Sequence, residues 1–480
     1  MGLFSRSAAP TEPGQITLPP APRDESERLP TSLIASPPEV FAPPPVAPPV
    51  PKEHQIELQK MKVRIHQQLV EKLDVQNLRS LPQDVVRREA RNVIRELCQS
   101  EKSLLNCLEQ EKLMDEVMDE TFGLGPLETL LKDPAITDIL INRFDRVYVE
   151  RSGRIEPVDV QFRDNQHLRQ IIDRIVAQVG RRVDEICPMV DARLSDGSRV
   201  NAIIPPLALD GPAMSIRRFG AKPLQVEDLI RHGAFPKVVI DFLAAAVQAR
   251  CNILISGGTG SGKTTLLNCL SRYIQPDQRI ITIEDAAELQ LRQPHLARLE
   301  TRPPNVEGLG AVRQRQLLIN SLRMRPDRII VGEVRGDEAL DRLQAMNTGH
   351  DGSLTTVHAN APRDAISRLE VMVTLANANM HLTAIRQQIA SAVHILVQCA
   401  RFSDGSRRVS SITEITGIEV DVVTLQDIFV FEKRGVAPDG RVLGRFCATG
   451  ILPKFNDKLL AAGIRLPLDM FDEVVEIGRS

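Results

Sequence analysis

Residues 252–274 read Asn252-Ile253-Leu254-Ile255-Ser256, then Gly257-Gly258-Thr259-Gly260-Ser261-Gly262-Lys263-Thr264, then Thr265-Leu266-Leu267-Asn268-Cys269-Leu270-Ser271-Arg272-Tyr273-Ile274. The middle octet fits G-x-x-x-x-G-K-[ST]. The apolar run before it predicts a buried strand, and the apolar residues after it fall at helical spacing. Strand, glycine loop and helix in that order are the context in which this pattern has a mechanism. Glycines let successive backbone N–H groups face phosphate oxygens with no Cβ in the way. The helix N-terminus adds unpaired N–H groups and partial positive charge. Lys263 is placed to reach the β- and γ-phosphates, and the Thr264 hydroxyl to ligate Mg²⁺. Gly257, Gly258, Thr259, Gly260, Ser261, Gly262, Lys263, Thr264 and Thr265 are therefore predicted to bind a nucleoside triphosphate.

Two further clusters narrow what such a loop can serve. Arg279-Ile280-Ile281-Thr282-Ile283 predicts a strand ending in Glu284-Asp285-Ala286-Ala287-Glu288. Carboxylates at the C-terminal edge of a strand beside a phosphate loop can act on Mg²⁺ or on a water. Arg328-Ile329-Ile330-Val331-Gly332-Glu333 is a second apolar strand ending in a carboxylate, followed by Val334-Arg335-Gly336-Asp337. That is a Walker B arrangement, with Glu333 in the metal-water position. The segment 348–360, from Thr348-Gly349-His350 to Thr356-Val357-His358-Ala359-Asn360, offers two histidines and several hydroxyls. Polar groups after a strand can sense a γ-phosphate. Strand and helix signals alternate from about 236 onward and predict a parallel α/β core, with a domain over 236–480.

Upstream, residues 121–235 give mixed signals. Ile139-Leu140-Ile141 and Val147-Tyr148-Val149 predict strands around a polar turn, and 171–179 predicts a helix. Asp196-Gly197 between two apolar segments predicts a hairpin. The whole fits an α+β or α/β domain with a small sheet. Residues 54–120 carry three stripes at helical spacing: Leu58, Met61, Ile65, Leu69 and Leu73; Val86, Ala90, Val93, Ile94 and Leu97; Leu104, Leu105, Leu108, Leu113 and Val117. They fit a small helical bundle, or a face presented to a partner or to the main body. Residues 1–53 hold 14 of the 33 prolines and predict a disordered or extended tail.

Composition excludes several classes. A net charge of −2 makes no electrostatic case for a general nucleic-acid binder, and the absence of Trp with only two Tyr supplies little base stacking. No run of 18 apolar residues predicts a membrane span, and the first residues lack a signal peptide's apolar core. Seven scattered cysteines without a C-x-x-C pair suit reduced cytoplasmic thiols.

In the order of these motifs the chain resembles the ATPases of type II and type IV secretion systems. The resemblance rests on the phosphate loop, the acidic box around Ile283-Glu284-Asp285, Gly332-Glu333-Val334-Arg335-Gly336 and the histidine box ending Thr356-Val357-His358. It spans roughly residues 115–450. Within that superfamily, Arg193-Leu194-Ser195-Asp196-Gly197-Ser198-Arg199-Val200-Asn201 and Ser215-Ile216-Arg217-Arg218-Phe219 look like the CpaF branch (also called TadA), which powers Flp, or tight adherence, pili.

The resemblance implies a homo-hexameric ring of two-domain subunits: a C-terminal RecA-like P-loop motor domain preceded by a PAS-like α/β domain. It implies ATP and Mg²⁺ as cofactors, with Thr264 and Glu333 on the metal. Glu288 matches the general-base position, with Glu284 its rival. His358 matches the residue that couples the γ-phosphate to domain movement. Arg217 and Arg218 match the arginine-finger region, with Arg193 and Arg199 as further candidates. The implied partners are inner-membrane pilus platform proteins, at the cytoplasmic face of that membrane. Many type II relatives carry a four-cysteine zinc insertion; this chain lacks it, so no zinc is expected. The alternatives are a ring ATPase for type IV secretion of protein or nucleic acid, and an ATP-binding scaffold with little turnover.

Overall fold

The computed structural model describes residues 61–62, 64–69, 83–100, 106–151, 153–218, 224–304, 308–377 and 379–477. The predicted tail over 1–53 lies outside them, as do Leu58, Leu73, Leu104 and Leu105 of the helical stripes. Two helices, Gln83–Ser100 and Cys107–Phe122, bury Ala90, Ile94, Leu97, Leu113, Met114 and Val117 in one cluster with Met61, Ile65 and Leu69. Leu108 departs from expectation and is 79% exposed. The helix starts only at Cys107, where the Asn106 side chain accepts from the Glu109 N–H and the Glu109 carboxylate accepts from the Asn106 N–H. That reciprocal cap sets the phase of the helix and turns Leu108 outward.

The first sheet has six strands: β1 (Ile136–Arg143), β2 (Arg146–Arg151), β3 (Arg154–Pro157), β4 (Met189–Arg193), β5 (Arg199–Ile203) and β6 (Ala213–Arg217). Their order is β3-β2-β1-β6-β5-β4, and every neighbouring pair is antiparallel. The predicted hairpin is β4–β5, with Gly197 in the left-handed region (φ 91°), which costs glycine no steric penalty. The helix Asn165–Gln178 covers one face and buries Leu168, Ile171, Ile172 and Ile175 against Ile139, Ile141, Val200 and Ile216. It begins well before the predicted 171, because the Asp164 carboxylate accepts from the His167 N–H at 2.7 Å and caps it there. The uncovered face carries the alternate residues of β5 and β6, among them Arg199, Asn201, Ser215 and Arg217.

The second sheet has ten strands: β7 (Ile253–Gly257), β8 (Ile280–Glu284), β9 (Leu296–Glu300), β10 (Arg328–Val334), β11 (Leu354–Val357), β12 (Ile395–Arg401), β13 (Arg407–Glu419), β14 (Val422–Val436), β15 (Val442–Ala448) and β16 (Val474–Ile477). The order is β16-β15-β14-β13-β12-β7-β11-β10-β8-β9. Strands β12, β7, β11, β10, β8 and β9 are parallel, as in a RecA-like P-loop fold. Both faces of β7 and β8 are covered, so these strands read as largely apolar runs, whereas edge strand β9 is only partly buried. Ile253 and Ile255 point to a cluster around Phe242, Leu267 and Phe429; Leu254 points to another around Leu343, Leu369 and Ile389.

The parallel α/β core expected from about 236 onward is present, and the sheet extends past β12 in a way the sequence does not announce. Strands β13 to β16 continue the sheet antiparallel. The turn between β13 and β14 is Val420-Asp421, with φ 45° and 65°. Two consecutive positive φ values suit a tight hairpin turn, but neither residue is the glycine or asparagine that announces one.

Candidate functional site

The phosphate loop is assembled by local chain geometry. Gly257 closes β7, Gly260 and Gly262 hold φ 68° and 98°, and the helix Lys263–Ser271 starts directly after Gly262. Thr265 lies in the first turn of that helix. Lys263 Nζ folds back to donate to the carbonyls of Gly257 and Gly258, at 2.9 Å each, and Ser261 Oγ donates to Gly258 O at 2.9 Å. Burial lowers the pKa of Lys263, and the Glu333 carboxylate opposes that shift.

The parallel strand order brings the other motifs to the same edge. β11 lies between β7 and β10, so His358, Glu333 and the loop share the C-terminal ends of adjacent strands. Thr355 and Thr356 hydroxyls donate to Val331 O (3.2 Å) and Gly332 O (2.6 Å), which stitches β11 to β10. Arg335 Nη2 donates to Glu333 Oε2 at 2.7 Å, while its Nη1 stands 3.7 Å from Asp285 Oδ2. The Glu333 hydrogen bond raises the Arg335 pKa. Glu338 fixes the turn, its Oε1 accepting from the Arg335 and Gly336 N–H groups at 2.6 and 2.9 Å.

The acidic box divides by burial. Glu284, 3% exposed, accepts from the N–H groups of Glu288 and Leu289 at 2.8 Å each. Burial pushes its carboxyl up to about 7, against the pull of those two hydrogen bonds. Glu288 has a 29% exposed side chain and meets Arg199 Nη1 at 2.8 Å.

That arginine comes from the other sheet. The β4–β5–β6–β1 register pairs Arg193 with Arg199, Arg199 with Arg217, and Arg217 with Asp138. The result is one row on the face away from the helix Asn165–Gln178. Arg193 Nη2 lies 3.0 Å from Glu300 Oε1, and Arg401 Nη2 donates to Gly153 O at 2.6 Å, so ion pairs and a hydrogen bond join the two sheets.

Thr259, Lys263, Thr264, Glu284, Glu288, Glu333, His358 and Arg217 line one pocket of about 170 Å³, together with Arg199 and Arg335. A larger cleft of about 980 Å³ also has Arg199, Arg217 and Arg335 in its wall and extends past Arg193, Arg302 and Arg313. Arg218 is placed elsewhere. Its guanidinium donates to the carbonyls of Asp133 and Leu131 (2.7 Å for the latter). Successive strand residues point to opposite faces, so Arg217 and Arg218 cannot both reach the pocket.

Three contributors escaped the sequence reading. Arg335 had a signal, being two residues beyond Glu333 and on the same side of an extended chain. Glu300 is aligned by the pairing of β8 with β9, and Arg401 meets Gly153 across 248 positions; neither leaves a local signature. The assembled groups can hold a polyanion against Lys263 and the arginines and can orient a water with Glu288 or Glu333.

The chain is similar to proteins of one family. The family described as type II/IV secretion system protein matches residues 120–430. A putative conjugal transfer protein of Mycobacterium tuberculosis is 39% identical over 331 residues, 68% of this chain and 93% of that protein. The type IV secretion system protein VirB11 of Bartonella henselae is 31% identical over 325 residues, 60% of this chain and 91% of that one. The crystal structure of the VirB11 ATPase from the Brucella suis type IV secretion system, in complex with sulphate, is 30% identical. It covers 63% of this chain and 96% of its own, with a TM-score of 0.34.

Proposed function

We propose a two-domain motor for this chain, which belongs to the type II/IV secretion system protein family and is a P-loop ATPase. The observation that carries the reading is a split site. Lys263, Thr264 and Glu333 stand on the ten-stranded sheet or its loops, Arg199 and Arg217 on the six-stranded one, and all five line one pocket.

ATP is bound by residues 257–265, with Lys263 on the β- and γ-phosphates. The hard oxygens of Thr264 and Glu333 would hold Mg²⁺, which would supply positive charge to offset that of the phosphates. Glu288 orients the attacking water. Arg217 and Arg199 neutralise charge on the separating phosphates. Arg199 is bonded to Glu288 and Lys263 to loop carbonyls, and phosphate oxygens draw both cations to themselves. Closure of residues 121–235 over 236–480 then depends on the γ-phosphate, and its loss loosens the pair. Hydrolysis becomes rigid-body rotation, with His358 coupling the γ-phosphate to the movement.

For the load, we assign the chain to the CpaF branch. The reading is a homo-hexamer at the cytoplasmic face of the inner membrane, turning a platform protein that adds Flp pilin. The segments 193–201 and 215–219 support the branch. No helix of the described residues is long and apolar enough to cross a membrane, which is consistent with membrane contact through partners. A second reading, transfer of protein or nucleic acid by a type IV system, is favoured by the name of the mycobacterial relative. Turnover and solution mass of the full chain test the motor, with DNA and pilus-platform membranes as alternative stimulants. A hexamer activated by platform membranes and indifferent to DNA is expected. A monomer with no turnover under either condition overturns the motor, and DNA stimulation moves the load to nucleic acid.

A further inference from the structure

Glu284 sits beneath the loop that carries Glu288. One of its oxygens, Oε1, accepts both the Glu288 and the Leu289 N–H at 2.8 Å. Leu289 is 1% exposed and belongs to the large apolar cluster around Phe242, so these bonds fix the loop where it dives into protein. On its other side the Glu284 side chain lies against Gly332, where an added Cβ would stand 3.0 Å from Glu284 Cγ. Gly332 precedes Glu333. One buried carboxylate therefore lies between the chain segments that deliver Glu288 and Glu333 to the pocket.

We propose that Glu284 is a positioning residue: its carboxylate clamps the Glu288–Leu289 backbone and sets where the Glu288 carboxylate stands, without itself accepting a proton from the attacking water. This rests on the reading of Glu288 as the water-orienting group. An oxygen that already accepts two short N–H bonds has little left for a water. Its partner Oε2 is buried, with no hydrogen-bond partner among the described residues. Glu288, in contrast, is partly exposed and already engages a polar group of the opposite sheet, Arg199.

Reach and basicity separate the two roles. Glu284→Gln keeps an acceptor oxygen at the same reach and abolishes its basicity. Glu284→Asp keeps the basicity and falls one methylene short. Steady-state kcat, the Kd of a non-hydrolysable ATP analogue and a thermal melt are measured on the full chain, with Glu288→Gln alongside. The clamp expects Glu284→Gln within about fivefold of the parental kcat. It expects Glu284→Asp and Glu288→Gln to fall about 100-fold, the scale of a small misplacement of a reacting group, at unchanged nucleotide Kd. Glu284→Gln falling as far as Glu288→Gln, with binding and melting intact, makes Glu284 a proton acceptor and overturns the proposal. Parental kcat in Glu284→Asp overturns it too, since the clamp is then dispensable. If Glu284→Asp does not fold, the Gln variant alone decides. Parental kcat in Glu288→Gln removes the premise and the proposal with it, and is told apart because it appears with Glu284 intact.

Discussion

The phosphate loop and the arginine row meet at one pocket, lined by Lys263 and Thr264 from the loop and by Arg199 and Arg217 from the row, and are built in opposite ways. The loop is nine contiguous residues whose shape follows from Gly260 and Gly262 at positive φ and from the helix that begins at Lys263. The row takes single residues from four strands, and nothing but sheet register lines up Arg193, Arg199, Arg217 and Asp138. A local device tolerates change elsewhere in the chain. A register device fails as a whole, because a one-residue slip sends every side chain of a strand to the other face.

The largest expected effect falls on the loop. Lys263→Ala should lower ATP turnover by about 1,000-fold and weaken nucleotide binding, since in the proposed function one residue supplies the contact to the β- and γ-phosphates. Turnover near the parental rate would mean that the arginines suffice to hold the phosphates. Next comes the buried carboxylate beside the loop. Burial pushes the Glu284 carboxyl up to about 7 in the folded chain, against an ordinary value of 4.5. Between those values the unfolded chain has lost the proton and the folded chain keeps it, so stability falls as pH rises through that window. The cost is on the order of 3 kcal/mol above pH 7 and absent below about 4.5. Melting temperatures from pH 5 to 8 should therefore drop more for the parent than for Glu284→Gln; parallel curves would show that Glu284 ionises normally.

The row is broken by a pair of neighbours. Arg217→Ala should lower kcat by about 100-fold, less than the loss of a lone arginine finger, because Arg199 is its register partner in the same pocket. Arg218→Ala should leave kcat within about threefold and lower the melting temperature, because its partners are the carbonyls of Asp133 and Leu131. The reverse pattern would mean that β6 is read in the wrong register. The smallest effect belongs to Glu300→Gln at the rim. Its pair with Arg193 is partly exposed, so the stability change should stay within about 1 kcal/mol. A larger loss in a denaturant titration would make that contact a principal tie between the two sheets.

Legibility followed the same division. β7, β8 and β10 stood out because strands buried on both faces are unbroken apolar runs, and each runs into its functional residues. The β4–β5 hairpin was announced by Asp196-Gly197. The β13–β14 hairpin was hidden, since Val420 and Asp421 adopt positive φ without a glycine to mark it. The start of the helix Cys107–Phe122 turned on a reciprocal cap at Asn106, and Leu108 was misplaced for want of it. Arg335 lies within the motif Gly332-Glu333-Val334-Arg335-Gly336, but the motif by itself does not announce its bond to Glu333.

Phosphate binding, the strand-end carboxylates and the P-loop class were written in short contiguous segments, because the forces that shape a glycine loop or a buried strand act over a few residues. Which arginine reaches the pocket, which carboxylate is sealed beneath it and how the two sheets touch were not. Arg199 meets Glu288 across 89 positions and Arg193 meets Glu300 across 107. Contacts of that kind exist only after strand pairing and domain packing have set the register, and the identities of the residues carry no record of it.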